Sequence, residues 1–250
     1  MPIEIFTTNY DLLMEQAFED LRVPYFDGFA GVRKPFFDLR AMEEDQLPPR
    51  WAKLWKLHGS TNWYQDASKS VFRGSTKEHD SKRVIHPSHL KYDESRRMPY
   101  LAMIDRLRAF LKQPSAALII CGYSFRDDHI NEVIVQGLQG NQTGTALALL
   151  FDNLEAYPKA IKLALERSNL SLLARDEAVI GSHRAKWKET DSDSIPSTGQ
   201  QWIRWILIDT ENEKSKRRAE LSIGDYALFG SFLLELVGQI RQQTEALDAK

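Results

Sequence analysis

Leu54-Trp55-Lys56-Leu57-His58-Gly59-Ser60-Thr61-Asn62-Trp63 is an apolar run that stops abruptly at a histidine, a glycine and a serine. Leu54, Trp55 and Leu57 predict a short buried strand, and Gly59 lets the backbone turn sharply at its end. In an open parallel α/β sheet, ligands bind outside the carboxyl ends of the strands, which makes His58 a candidate acid or base. A histidine beside a turn is more often a hydrogen-bonded structural residue. Two other strand ends with polar turns of the same kind set this one apart.

The first lies upstream. Residues 3–6 predict a strand that ends in Thr7-Thr8-Asn9-Tyr10-Asp11, and Leu12, Leu13, Ala17 and Leu21 then recur at helical spacing, with Asp11 placed to cap the helix. Such a unit leaves backbone N–H groups and the side chains of Thr8, Asn9 and Asp11 at a sheet edge, where they can hold a polar ligand. The same residues serve equally well as an Asx-type turn with a helix cap. The second lies downstream. Residues 116–121 are continuously apolar, the pattern of a strand buried on both faces, and end in Gly122-Tyr123-Ser124-Phe125-Arg126-Asp127-Asp128 before a helix marked by Ile130, Val133, Ile134 and Leu138. Gly122 permits close approach of a ligand and Ser124 offers a hydroxyl, although a well-capped turn needs the same residues.

Between these landmarks, residues 23–49 predict a loop-rich crossover with turns at Asp27-Gly28 and Ala30-Gly31. Trp63, Tyr64, Val71 and Phe72 predict a hairpin with a polar tip at 75–82, and Leu101, Ile104, Leu107 and Leu111 form one face of a helix opened by Pro99. His86 and His89 lack a carboxylate or cysteine partner at metal-ligand spacing, so no metal site is predicted. Strands at 146–151, 170–173 and 202–208 and a helix through Ala160, Leu163, Ala164 and Leu165 follow. The segment 186–200 is polar and expected to be mobile, and 214–218 is a basic run, most simply a solvated loop. A last helix bears Phe229, Phe232, Leu233, Leu236, Val237 and Ile240 on a broad face that docks on the core or on another subunit. The expectation is a single domain over 1–250 with an excursion at about 63–95.

The 250 residues are 42% hydrophobic and 27% charged, as in globular proteins. Thirty-three Lys and Arg against 35 Asp and Glu give no global electrostatic case for nucleic-acid binding. Cys121 is the only cysteine, which excludes an intrachain disulfide and a cysteine-cage zinc site built by this chain alone. No apolar run approaches the length of a membrane span and no secretion signal opens the chain, so a cytoplasmic location is expected.

Alternating strands and helices with polar turns after the strands predict an α/β doubly wound, Rossmann-like parallel sheet. The ordered trio Thr7-Thr8-Asn9-Tyr10-Asp11, Leu57-His58-Gly59-Ser60 and Gly122-Tyr123-Ser124-Phe125-Arg126-Asp127 resembles the sirtuin-like domains of bacterial antiphage defence proteins, and Gly224-Asp225-Tyr226 resembles the end of the same domain. The resemblance implies NAD as substrate. It places catalysis on Asn9 and His58 and cofactor contacts on Thr8, Asn9, Asp11, His58, Gly59, Gly122, Tyr123 and Ser124. It also implies homo-oligomers and a partner translocase ATPase or infection sensor. Sirtuin deacylases carry a four-cysteine zinc module that this chain does not have, so the resemblance points to NAD hydrolysis with no metal, and deacylation ranks last. Sirtuin-like domains begin with a strand and a glycine-rich phosphate loop, whereas here the Thr-Asn turn falls within the first ten residues. Three expectations stay open: the chain is part of a longer polypeptide, another chain supplies that unit, or tight NAD binding is lost. The alternative reading is a non-catalytic nucleotide-binding or assembly module.

Overall fold

Every side chain of the strand before His58 is buried, including two lysines, and the first part of the molecule is arranged around it. A computed structural model describes residues 3–74, 82–85, 99–187, 189–191, 202–208 and 216–248, and the chain divides into two units, Met1–Phe110 and Leu111–Lys250.

The first unit contains β1 (Glu4–Thr7), α1 (Leu13–Asp20), β2 (Tyr25–Phe26), β3 (Phe29–Ala30), β4 (Phe36–Phe37), α2 (Leu39–Glu44), β5 (Ala52–Lys56), β6 (Gly59–Gln65), β7 (Val71–Arg73), β8 (Lys82–Ile85) and α3 (Tyr100–Leu111), which ends at the unit border. β5 is flanked by β1 and β2, both parallel to it, with Thr7 opposite Lys56. The hairpin expected around Trp63 and Phe72 is present as antiparallel β6 and β7, within a five-stranded sheet of order β3-β4-β7-β6-β8. Trp55 and Trp63 are fully buried, and Phe26 meets Trp55 edge-on at 6.1 Å. The crossover at 23–49 is more regular than expected, holding three two-residue strands and a short helix capped by Asp38, whose side chain accepts from Ala41 N.

α1 differs from its predicted face. Leu13 and Leu21 are 65% and 75% exposed, while Phe18 and Glu15 turn inward. Phe18 packs with Ala52, Leu54, Ile5 and Met14, and Glu15 follows it inside because a buried lysine meets its carboxylate.

The second unit contains β9 (Ala117–Cys121), α4 (Asp128–Gly140), β10 (Thr145–Leu149), a 3₁₀ turn (Leu154–Ala156), α5 (Pro158–Leu165), β11 (Leu170–Leu173), β12 (Glu177–Ile180), β13 (His183–Lys186), β14 (Glu189–Asp191), β15 (Ile203–Ile208), β16 (Lys216–Leu221) and α6 (Tyr226–Asp248). Its main sheet has the order β13-β12-β11-β10-β9, in which β9, β10 and β11 are parallel and joined through α4 and α5. β9 pairs only with β10 among the described residues and is an edge strand of this sheet. Its burial on both faces is therefore corrected: Ile119 is 51% exposed.

A second, antiparallel sheet, β14-β16-β15, replaces the expected single final strand. The basic run is likewise corrected, since Lys216, Arg217 and Arg218 lie in β16, paired along β15, rather than in a loop. The last helix buries its first turns against this part: Phe229 and Phe232 pack on a cluster of Leu149, Trp202 and Ile223. Farther along, Leu234 and Val237 are 77% and 49% exposed. Both units are thus mixed α/β with parallel pairing at their centres and antiparallel additions. Among the described residues, no helix is long and apolar enough to cross a membrane.

Candidate functional site

Because β1 and β5 run parallel in register, their carboxyl ends leave the sheet side by side, and the two turns they feed are neighbours. Leu57 N donates to Thr7 O at 2.8 Å, and Thr61 N donates to Tyr10 O at 2.9 Å, so the turns are stitched together on both sides of His58. Gly59 takes a left-handed φ of +88°, as the abrupt turn after His58 requires. Within the first turn, Asn9 N donates to Thr7 Oγ1 at 3.0 Å, and Asp11 Oδ1 accepts from Leu13 N at 3.1 Å as an Asx-type turn. The N-cap of α1 is Leu12, without a side-chain cap, so Asp11 stands one residue before the capping position expected of it.

Asn9 and Asp11 are exposed, Thr8 and His58 are half-buried, and Gly59 and Ser60 are buried. The rings of Tyr10 and His58 lie 6.3 Å apart with an interplanar angle of 33°. The first unit thus brings Thr8, Asn9, Asp11, His58 and Gly59 to one end of its parallel sheet.

Beneath the turns lies a feature that the sequence reading missed. Lys56, with no exposed surface, donates from Nζ to Glu15 Oε1 and to Ser60 Oγ, each at 2.8 Å, and to Asp11 O. One ammonium therefore touches the helix after the first turn, the backbone of that turn and the first strand residues after the second turn. A charge this deep is tolerated only when paired and hydrogen-bonded. Its signal in the sequence was a lysine interrupting Leu-Trp-Lys-Leu, with a glutamate on the first turn of α1. Glu15 Oε2, also buried, has no hydrogen-bond partner.

The third turn belongs to the second unit. Gly122, at the end of β9, has φ +72°, is exposed, and faces open space where a Cβ would sit. Ser124 is exposed as well. Asp127 caps α4, accepting from His129 N at 3.0 Å and Ile130 N at 3.3 Å. Tyr123 is committed inside the turn: its hydroxyl bonds Asn131 Oδ1 at 2.9 Å and donates to Asp127 O at 3.0 Å, while Asn131 Nδ2 donates to Phe125 O at 2.8 Å. Burial and the nearby Asp127 and Asp128 push its phenol well above the usual tyrosine range.

Among the described residues, no three His, Cys, Asp or Glu side chains gather in a metal-binding arrangement. His86 and His89 lie outside the described residues.

Parallel strands joined through helices, with polar turns at their carboxyl ends, define a mixed α/β protein. The family model of the SIR2-like domain matches residues 3–173, a span that takes in all three turns. The chain belongs to the SIR2-like family, whose domains bind NAD and which includes NAD-dependent enzymes. No curated protein matches the chain.

Proposed function

We propose that this chain is an NAD glycohydrolase domain that cleaves NAD with water to nicotinamide and ADP-ribose and serves antiphage defence by NAD depletion. The observation that carries the reading is the side-by-side placement of the Asn9 and His58 turns at the end of the β1–β5 pair, in a chain of the SIR2-like family.

Hydrolysis breaks the bond between the ribose anomeric carbon and the pyridinium nitrogen. That electron pair neutralises the ring, nicotinamide leaves, and water adds to the oxocarbenium-like carbon and loses one proton. Such a reaction needs positioning and a proton acceptor more than a strong nucleophile. Asn9, an exposed amide at the turn, orients the ribose or the attacking water. His58, at the adjoining turn, takes the proton as general base. In the second unit, the open backbone at Gly122 and the hydroxyl of Ser124 suit contact with ribose or phosphate.

The test is NAD consumption by wild type and by His58→Ala, with nicotinamide and ADP-ribose resolved by chromatography. Wild-type cleavage lost in a folded His58→Ala protein is the expected result. Undiminished cleavage by His58→Ala overturns the assignment of roles.

A second reading, a non-catalytic nucleotide-binding or assembly module, is favoured by the exposed apolar residues of α6, Leu234 and Val237 foremost. NAD binding by wild type without product release, together with self-association, is the result that selects it.

A further inference from the structure

Lys56 is the last residue of β5, and its ammonium is committed entirely inside the chain. It donates to Glu15 Oε1, to Ser60 Oγ and to Asp11 O. An ammonium carries three hydrogens, and these three acceptors take them. None is left for a substrate, and neither Lys56 nor Ser60 has exposed surface. Lys56 therefore touches no reacting atom.

What it holds is the spacing of two turns. The bond to Ser60 closes the bend of residues 56–60, with His58 at its centre and Gly59 in the left-handed conformation. The bond to Asp11 O grips the turn that carries Asn9, and the bond to Glu15 grips the first turn of α1. Ser60 extends the link. Its Oγ accepts from Lys56 and donates its own hydrogen to Tyr10 O at 3.4 Å, and the same carbonyl accepts from Thr61 N.

The chemistry of the position is that of lysine. Three acceptors from separate segments converge on one atom, and only an ammonium offers three donors from a single nitrogen. A guanidinium spreads its donors over a planar fork. The Glu15 carboxylate supplies the opposite charge that makes the burial tolerable.

We infer that Lys56 is a positioning residue, which sets the His58 turn against the Asn9 turn through one buried ammonium, with Glu15 as its counter-charge. The effect on turnover rests on the NAD glycohydrolase reading; the effect on the turns does not.

Lys56→Met combined with Glu15→Leu tests this, because it removes both charges together and leaves Asp11 O and Ser60 Oγ without their donor. Steady-state kinetics with NAD and amide hydrogen exchange by NMR are measured on the same folded protein. In the double variant kcat falls roughly hundredfold, the scale of a displaced reacting group, while KM stays within about threefold of wild type. The amides of Leu57 and Thr61, which bridge the two turns, exchange about tenfold faster. The amide of Lys53, which donates to Ile3 O near the other end of the β1–β5 pair, keeps its rate. Ser60→Ala removes only the Ser60 links and gives the same pattern at smaller size, which decides the matter if the double variant does not fold. Wild-type exchange at Leu57 and Thr61 overturns the inference. Equal quickening at Lys53 also overturns it, by making Lys56 a general structural residue of the sheet. A wild type that cleaves no NAD overturns the functional reading alone, and the three amides then decide the role of Lys56.

Discussion

Lys56 Nζ lies 2.8 Å from Glu15 Oε1, with 1% and 9% of the two side chains exposed, and the pair joins the strand that leads to His58 to the helix that follows Asn9. Neither group has water to fall back on. Replacing a single member strands the other as a buried charge, which in comparable sites costs about 3–5 kcal/mol. Lys56→Met is expected to lose stability of that order in urea unfolding. Lys56→Met combined with Glu15→Leu is expected to recover most of it, since a buried pair replaced by apolar side chains is often close to neutral. A loss below about 1 kcal/mol in the single variant would show that the pair does not hold the turns together.

Asn9 is the converse case. Its side chain is exposed, and the recorded bond of the residue is made by its backbone N–H to Thr7 Oγ1. Asn9→Ala should leave the melting temperature within a degree or two while lowering NAD turnover by roughly a hundredfold, the scale expected when a reacting group or water loses its orientation. Turnover and thermal denaturation measured on the same preparation check this, and a large fall in melting temperature would recast Asn9 as a structural turn residue.

Asp27 gives stability a dependence on pH of unusual sign. Burial raises its carboxyl above the ordinary value of 3.8, although Arg73 pulls the other way. Between the unfolded value and the raised one, the folded state binds more protons than the unfolded state, so this group's contribution falls as pH rises from about 4 and levels off above its folded value. Asp27→Asn removes that slope. The unfolding free energy of wild type relative to the variant, followed from pH 4 to 8, should therefore fall as pH rises through the raised value and stay constant above it. A difference constant across the range would show that the carboxyl is not shifted.

Tyr123 belongs to the architecture of its turn through Asn131 and Asp127 O. Tyr123→Phe should cost about 1 kcal/mol, the worth of a neutral hydrogen bond, and Asn131→Ala more, because it also leaves Phe125 O without its donor. Denaturant midpoints rank the two. Equal losses would mean that the Asn131 bond to Phe125 O contributes little.

The parts of the fold that could be read from the sequence are those where pattern and packing agree. The strand before His58, the hairpin of Trp63 and Phe72, and α4 with Ile130, Val133, Ile134 and Leu138 buried were all legible, because apolar spacing alone places them. α1 was misread in its face because an ion pair, not periodicity, decides that Glu15 goes in and Leu13 stays out. β9 looked fully buried because its five residues are apolar, and no property of a strand's own sequence reveals that it stands at the edge of its sheet. β16 was hidden because Lys216, Arg217 and Arg218 gain their strand pairing from β15, across a stretch that local propensity does not span. The turns around Asn9, His58 and Gly122 were legible as turns. The lysine beneath two of them was not, since its partners come from three separate segments.

The depth of Lys56 has a practical corollary in chemical labelling. An amine with no exposed surface, bonded to a carboxylate, a hydroxyl and a carbonyl, is sheltered from acylating reagents that modify lysines on the surface. Its reactivity then becomes a built-in gauge of the neighbouring loops. Any treatment that springs the His58 and Asn9 turns apart uncovers this one nitrogen, and mass spectrometry of a single peptide reports the opening without reference to catalysis.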